Sequence, residues 1–208
     1  QLPKPELSIV DGKLKLDARG YEEAKVHYTI DGSMPTEKSP RYKKAIAIDE
    51  DVVLRAKAFG CGLTKSDYAP VKVNIGEIVK ESAVRKSLTE KDVAGVRGAL
   101  LGVELFGSDI GIYLKRLHVN DENMAEVPHS KHGWNDHHFI TIPKEKLGGI
   151  RTKNHIKFAG GGADAYKLRN VTLYVQLQDG SWVKSETEGK IYCPQSKRNW
   201  VNSEGIIK

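Results

Sequence analysis

The chain has 208 residues, 39% hydrophobic and 29% charged, with a formal net charge of +6 and a pI near 9.1. That length suits two domains better than one small sandwich, and no stretch approaches the roughly 20 apolar residues that span a bilayer. The basic balance invites a nucleic-acid partner, but Lys and Arg are scattered singly among Asp and Glu, with no basic arm and no recognisable nucleic-acid motif. Neither nucleic acid nor membrane insertion is therefore expected.

The chain starts at Gln1 with no methionine, basic n-region or apolar h-region, which reads as a mature or trimmed form from which any export signal would have been removed. Leu2–Glu6 is an extended, proline-containing lead-in. Leu7–Val10 and Lys13–Leu16 flank Asp11-Gly12, a two-residue hairpin signal. Val26, Tyr28 and Ile30 alternate with His27 and Thr29, the period of a half-buried strand. Asp31-Gly32 breaks it, and Ser33, Pro35, Ser39 and Pro40 keep the next loop short and kinked. The spacing predicts further strands over Tyr42 with Ala45–Ile48, over Val52–Phe59, and over Ala69–Ile75. Short strands with turn residues every eight to twelve positions are the signature of a sandwich.

At this point a family is legible. The string YTIDGSMPTEKSPRY, Tyr28–Tyr42, followed by VVLRAKAF and a glycine-containing turn, resembles the chitobiase/β-hexosaminidase C-terminal domain. The resemblance covers about Pro5–Ile75. It implies an immunoglobulin-like β-sandwich appended to secreted bacterial glycoside hydrolases, with the catalytic machinery elsewhere in the parent chain. It also implies that Tyr28, Asp31 and Tyr42 are fold determinants, and no binding role is assigned to them.

Beyond Gly76 the charge density rises, and Gly76–Asp92 reads as a connector with a short strand at Ile78–Val79. The boundary falls at Asn74–Glu77, giving domains 1–76 and 77–208. The second half opens a new β series: Leu100–Phe106 and Ile110–Leu117 joined by Gly107-Ser108-Asp109, a segment that becomes polar over Leu117–Glu126, and then Phe139–Ile142 stopped by Pro143. A loop or single helical turn follows over Lys144–Gly149, then strands at His155–Phe158 and Leu168–Gln178. Asp179-Gly180 turns the chain into Trp182–Lys184, and Lys190–Cys193 reads as a last strand. No segment holds a helical period for three turns. The order IYLKRLHV, a loop with Trp134, HHFITIPKEKL, then NHIKF resembles the galactose-binding-like jelly rolls of carbohydrate-active enzymes over about Val96–Tyr192. Lys115-Arg116 stands where that family has an asparagine-glycine turn. The fold expected is all-β: two tandem β-sandwiches, an immunoglobulin-like module followed by a jelly roll.

The densest polar cluster is His129–His138, HSKHGWNDHH. Its four histidines and Asp136 invite a transition metal, but no HExxH pattern or apolar helix presents them together, so a histidine-rich surface loop is expected instead of a metal site. Trp134 in that loop offers a flat apolar face for the C–H side of a sugar, while His132, Asn135 and Asp136 supply the donors and acceptors that hydroxyls need. The competing reading folds Trp134 back as a core plug. Trp182 reads as packing on a sheet face, and Trp200 as an anchor of the C-terminal segment or a second platform.

Cys61 and Cys193, one in each half, lie in no metal-ligand or redox pattern and read as two unpaired thiols in preference to a bridge between halves. Glu104, Asp109, Asp136 and Asp164 supply carboxylates, but no spacing selects the pair, roughly 5–10 Å apart, that glycoside hydrolysis needs. No GxSxG elbow or phosphate loop is present. The Asn170-Val171-Thr172 sequon falls inside a predicted strand.

The expectation is therefore not an enzyme. It is an accessory, carbohydrate-binding region of a larger secreted bacterial glycan-degrading protein, located outside the cell, in the periplasm or on the cell surface. Its expected partners are a poly- or oligosaccharide and the parent's catalytic domain. It is expected to be a monomer and to need no cofactor; calcium is left open and not expected. The alternative is a structural or protein-interaction module without glycan affinity.

Overall fold

A computed structural model describes residues 1–21, 23–60, 62, 70–106, 116–128, 137–159 and 167–185. The described residues are mostly β, 46% strand and 13% helix. The chain divides into two compact units, Gln1–Ser82 and Ala83–Lys208.

In the first unit, β1 (Glu6–Val10) and β2 (Lys13–Asp17) form the expected hairpin, with Glu6 opposite Asp17 and Val10 opposite Lys13. Asp11 and Gly12 have φ of 50° and 70°, the left-handed pair that a twisted two-residue hairpin requires. Leu14 and Leu16 of β2 are buried while Lys15 points outward. β4 (Val52–Phe59) lies between β3 (Lys25–Thr29) and β5 (Val71–Val73), antiparallel to both. Val52, Leu54, Ala56 and Ala58 of β4 form its buried face, as the alternation predicts.

Three expectations in this unit are corrected. His27 is buried and Ile30 is 44% exposed, the reverse of the simple alternation. The loop after β3 folds back on it: Tyr28 N–H donates to Pro40 O at 3.0 Å, and Tyr42 N–H to Val26 O at 2.7 Å. His27 Nδ1 lies 2.7 Å from Ser39 O, and its ring meets Phe59 edge-on at 5.4 Å, so its polar and apolar needs are both met inside. Ile30 falls just past the end of the strand.

The strand expected at Tyr42 and Ala45–Ile48 is instead two isolated bridges, Arg41 to His27 and Ile46 to Leu14. The segment passes from β3 to β2 and so cannot run a ladder along either. The strand at Ile78–Val79 is α1 (Ile75–Ser82): Ile75, Ile78 and Val79, spaced i, i+3, i+4, are buried together on one helix face. Asn74 Oδ1 accepts from Glu77 N–H at 3.0 Å and Asp51 Oδ1 from Ile75 N–H at 2.9 Å, satisfying two of the free amides at the helix start.

The motif residues of this unit hold a turn. Asp31 Oδ1 accepts from the Ser33 amide at 2.9 Å and its hydroxyl at 2.6 Å, and these bonds keep the Asp31 carboxyl below its ordinary range. Gly32 between them has φ of 81°, and an added Cβ would lie 3.1 Å from Val53 Cγ1, so only glycine fits without strain.

The second unit is built from two sheets. The five-stranded one runs β10 (His137–Thr141), β7 (Gly98–Phe106), β12 (Lys167–Gln176), β13 (Trp182–Ser185), β6 (Val84–Lys86), with only the last pair parallel. The three-stranded one runs β11 (Ile156–Ala159), β8 (Arg116–Val119), β9 (Glu122–Glu126). Between them lies one apolar core: Leu101, Val103 and Leu105 from β7 and Leu173 and Val175 from β12 meet Leu117, Val119, Met124, Ile156 and Phe158 from the facing sheet. That arrangement is a β-sandwich.

The polar segment Leu117–Glu126 lies in a hairpin, β8 to β9, turning on Asn120 and Asp121 with φ of 52° and 65°. Asparagine and aspartate tolerate that conformation without the glycine that would have announced it. A six-residue 3₁₀ turn occupies Lys144–Gly149 as expected. Trp182 is buried on the sheet, also as expected. Cys61, Cys193, Trp200, Gly107-Ser108-Asp109, residues 110–115 and Lys190–Cys193 lie outside the described residues.

Before β7, the short helix α2 (Glu90–Ala94) opens with a reciprocal cap. Thr89 Oγ1 accepts from Asp92 N–H at 3.2 Å, and Asp92 Oδ2 accepts from Thr89 N–H at 2.9 Å. Lys86 Nζ donates to Asp92 Oδ1 at 2.8 Å. The Lys86 ammonium first, then the Thr89 amide and hydroxyl, hold the Asp92 carboxyl at about 2, below its ordinary 3.8. A carboxyl depressed on folding stabilises the fold above about pH 4, and that stabilisation is lost as pH falls toward 2. Asp92→Asn should cost about 1 kcal/mol at pH 7 and much less near pH 2. Melting curves of both proteins at pH 7, 4 and 2 check this: the gap between their midpoints should close on acidification.

Candidate functional site

The sugar-contact residues read from sequence, His132, Trp134, Asn135 and Asp136, lie outside the described residues. What is described is the sheet that follows them directly in the chain. β10 begins at His137, and its antiparallel register puts His137 opposite Glu104, Phe139 opposite Gly102 and Thr141 opposite Leu100 of β7. Alternation along β7 sends Leu101, Val103 and Leu105 into the core and turns Gly102 and Glu104 to the other face of the sheet. His137 and Phe139 share that second face, and His138 is turned toward the core side beside Val103.

On the second face an aromatic row forms over Gly102. The His137 and Phe139 rings are 4.6 Å apart, and the Phe139 and Tyr174 rings 6.3 Å, both tilted pairs. Gly102 makes the row possible: a Cβ there would lie 2.9 Å from Tyr174 Cε2, 3.2 Å from His137 Nε2 and 3.4 Å from Phe139 Cε1. Glu104 sits at the end of the row. Its Oε1 accepts from Asn170 Nδ2 at 2.8 Å and stands 3.8 Å from His137 Nδ1. Asn170 reaches it because β12 bulges between Arg169 and Thr172, with Asn170 at φ of 53°.

The row is support more than platform. Tyr174 is 3% exposed, and Glu104 and His137 keep only 17% and 16% of their side chains accessible. Three strands therefore fix the first residue of β10, from which the Trp134 segment leads away in sequence. Among the described residues no group of three His, Cys, Asp or Glu side chains is placed to hold a metal ion. Sequence reasoning counted His137 with the histidine run and Glu104 with the loose carboxylates, and it missed Gly102, Tyr174 and the Asn170 contact. Only the cross-strand register brings these together, and the one local trace of it is a glycine inside an otherwise apolar strand.

Residues 11–70 match the family model of the Chitobiase/beta-hexosaminidase C-terminal domain. The first unit thus carries a glycoside-hydrolase-associated accessory domain, of a type that is non-catalytic in hexosaminidases and compatible with a chain lacking catalysis of its own. The second unit lies outside that match. No curated protein matches the chain.

Proposed function

We propose that this chain is the non-catalytic accessory region of a larger, secreted bacterial glycan-degrading protein, and that its second unit holds poly- or oligosaccharide through His132, Trp134, Asn135 and Asp136. The single observation that carries the accessory role is the family match over residues 11–70. The sugar contact is supported by chemistry: one flat indole with amide, imidazole and carboxylate neighbours, in sequence directly ahead of a strand whose first residue is held by ring packing and a carboxylate. A shallow aromatic contact buries little surface and must offset the ordering of ligand and loop, so dissociation constants near the millimolar range are expected. The protein works as a monomer beside the parent's catalytic domain, outside the cytoplasm.

A second reading, docking to a protein without glycan affinity, is favoured by one feature. Strand β1 pairs with β2 alone among the described strands and exposes Ile9 and Val10 by 49% and 47%. Affinity gels containing a panel of neutral and acidic polysaccharides separate the two. The intact chain should be retarded by at least one glycan, and Trp134→Ala should weaken that retardation about tenfold with an unchanged melting midpoint. A chain retarded by none would sink the glycan role and leave docking.

A further inference from the structure

The first unit contains a groove of about 340 Å³ that the function proposed above leaves unused. Its chemistry comes from Asp17, Tyr21, Arg41 and Tyr42, with Leu16 and Val26 among its apolar lining. The backbone explains why they converge. β2 ends at Asp17, and a turn with Arg19 and Gly20 at φ of 54° and 84° carries the chain round to Tyr21. Tyr21 O accepts from Ala24 N–H at 2.9 Å, fixing that turn, while the 2.7 Å bond from Tyr42 N–H to Val26 O fixes the far wall against β3. No atom lies within 4 Å of where a Gly20 Cβ would stand, so this rim is open.

What distinguishes the groove is uncommitted polarity. Among the described residues, neither the Tyr21 and Tyr42 hydroxyls nor the Arg41 guanidinium makes a hydrogen bond or ion pair. Asp17 uses Oδ1 for the Arg19 amide at 2.6 Å, and its Oδ2 makes no such bond. One concave surface therefore presents two phenol rings, a planar fork of N–H donors and a free carboxylate oxygen. The opposite charges of Arg41 and Asp17 disfavour a simple anion or cation. They suit a neutral ligand whose groups each donate and accept, with an apolar face for a ring, and that is the description of a pyranose. The volume is at the small end of the roughly 300–1,000 Å³ of small-molecule sites, enough for one or two sugar rings.

We infer that this groove is a second carbohydrate subsite, one that takes a neutral sugar unit of a polysaccharide against Tyr21 and Tyr42 with Arg41 and Asp17 on its hydroxyls. The choice of ligand class rests on the glycan role proposed above, but the residues are separate from those of the second unit. Two weak sites on one chain would raise the apparent affinity for a long polymer over that for a monosaccharide.

The test uses the full-length Trp134→Ala protein, in which the second-unit contact is removed, in affinity gels containing galactomannan, xyloglucan or β-1,3-glucan, with polygalacturonate as the acidic control. The groove predicts residual retardation by at least one neutral polymer, reduced about tenfold by Tyr21→Ala and by Arg41→Gln, with Tyr21→Phe keeping part of it. Tyr21 is 40% exposed, so its replacement should leave the melting midpoint in place. Residual retardation indifferent to both substitutions, or dependent only on the acidic polymer, would overturn the groove. Loss of all retardation in Trp134→Ala, with the unsubstituted chain still retarded, would overturn it too and leave the second-unit site standing. An unsubstituted chain retarded by nothing would remove both.

Discussion

Phe158→Ala should lower the unfolding free energy of the second unit by about 4 kcal/mol. Phe158 is 0% exposed, and its β11 position opposite Leu117 puts it in the core between the two sheets, with Leu101, Val119, Met124 and Leu173. Removing the ring forfeits its transfer free energy and leaves a cavity that a close-packed sandwich closes only in part, a combination that costs about 3–5 kcal/mol for a buried phenylalanine. All three tryptophans, Trp134, Trp182 and Trp200, belong to the second unit, so denaturant unfolding followed by tryptophan fluorescence reads this unit alone. A shift to lower denaturant with an unchanged slope is expected. A change under 1 kcal/mol would mean that the sheets are not packed on each other as described.

Asn154→Ala should cost about 2–3 kcal/mol, although it removes far less apolar surface. Asn154 is fully buried, and each of its polar atoms is used: Oδ1 accepts from Asn120 Nδ2 and from Arg151 N–H, both at 2.9 Å, and Nδ2 donates to Arg151 O at 2.7 Å. Asn120, at the β8–β9 turn, adds bonds to Gly149 O at 2.8 Å and from His155 N–H at 2.9 Å. The pair thereby ties the hairpin to the 3₁₀ turn and to the start of β11. Alanine strands buried donors and acceptors, each costing about 1–3 kcal/mol when unmet and less where water enters. Asn154→Asp keeps the acceptor but loses the donor and buries a charge, so it should also destabilise. Thermal melts of both variants, read by tryptophan fluorescence, check the ordering; an unaffected Asn154→Ala would mean that the network contributes nothing net.

The contrast between these residues shows what a sequence carries. The core strands were readable because burial on one face leaves a period of two, as in Val52, Leu54, Ala56 and Ala58, and because Asp11-Gly12 and Asp179-Gly180 announce their turns locally. Helix α1 was not readable: two turns are too short to establish a period, and the adjacent Ile78-Val79 looks like a strand. The β8–β9 hairpin was hidden because its turn is Asn120-Asp121 without glycine and its outward residues are polar.

For the site, the type of residue was legible and the assembly was not. Glu104 and Asn170 meet across 66 positions, through a bulge that no local pattern marks. Asn154 stood in the NHIKF string that carried the jelly-roll resemblance, yet its role as a buried pin depends on Asn120, 34 positions away. Tyr42 stood among the motif residues, and it is half-buried. Its neighbours Tyr21 and Arg41 become interesting only once the turn after β2 brings them to the same groove.

The role proposed for this chain is to hold glycan without cutting it. The most direct measurement incubates the intact chain with insoluble polysaccharides, then assays both the protein left in the supernatant and the reducing ends released. Depletion of the protein by at least one polymer is expected, weakened but not abolished by Trp134→Ala, with no new reducing ends over hours. New reducing ends that scale with protein concentration would contradict it, and so would a supernatant undepleted by every polymer tested.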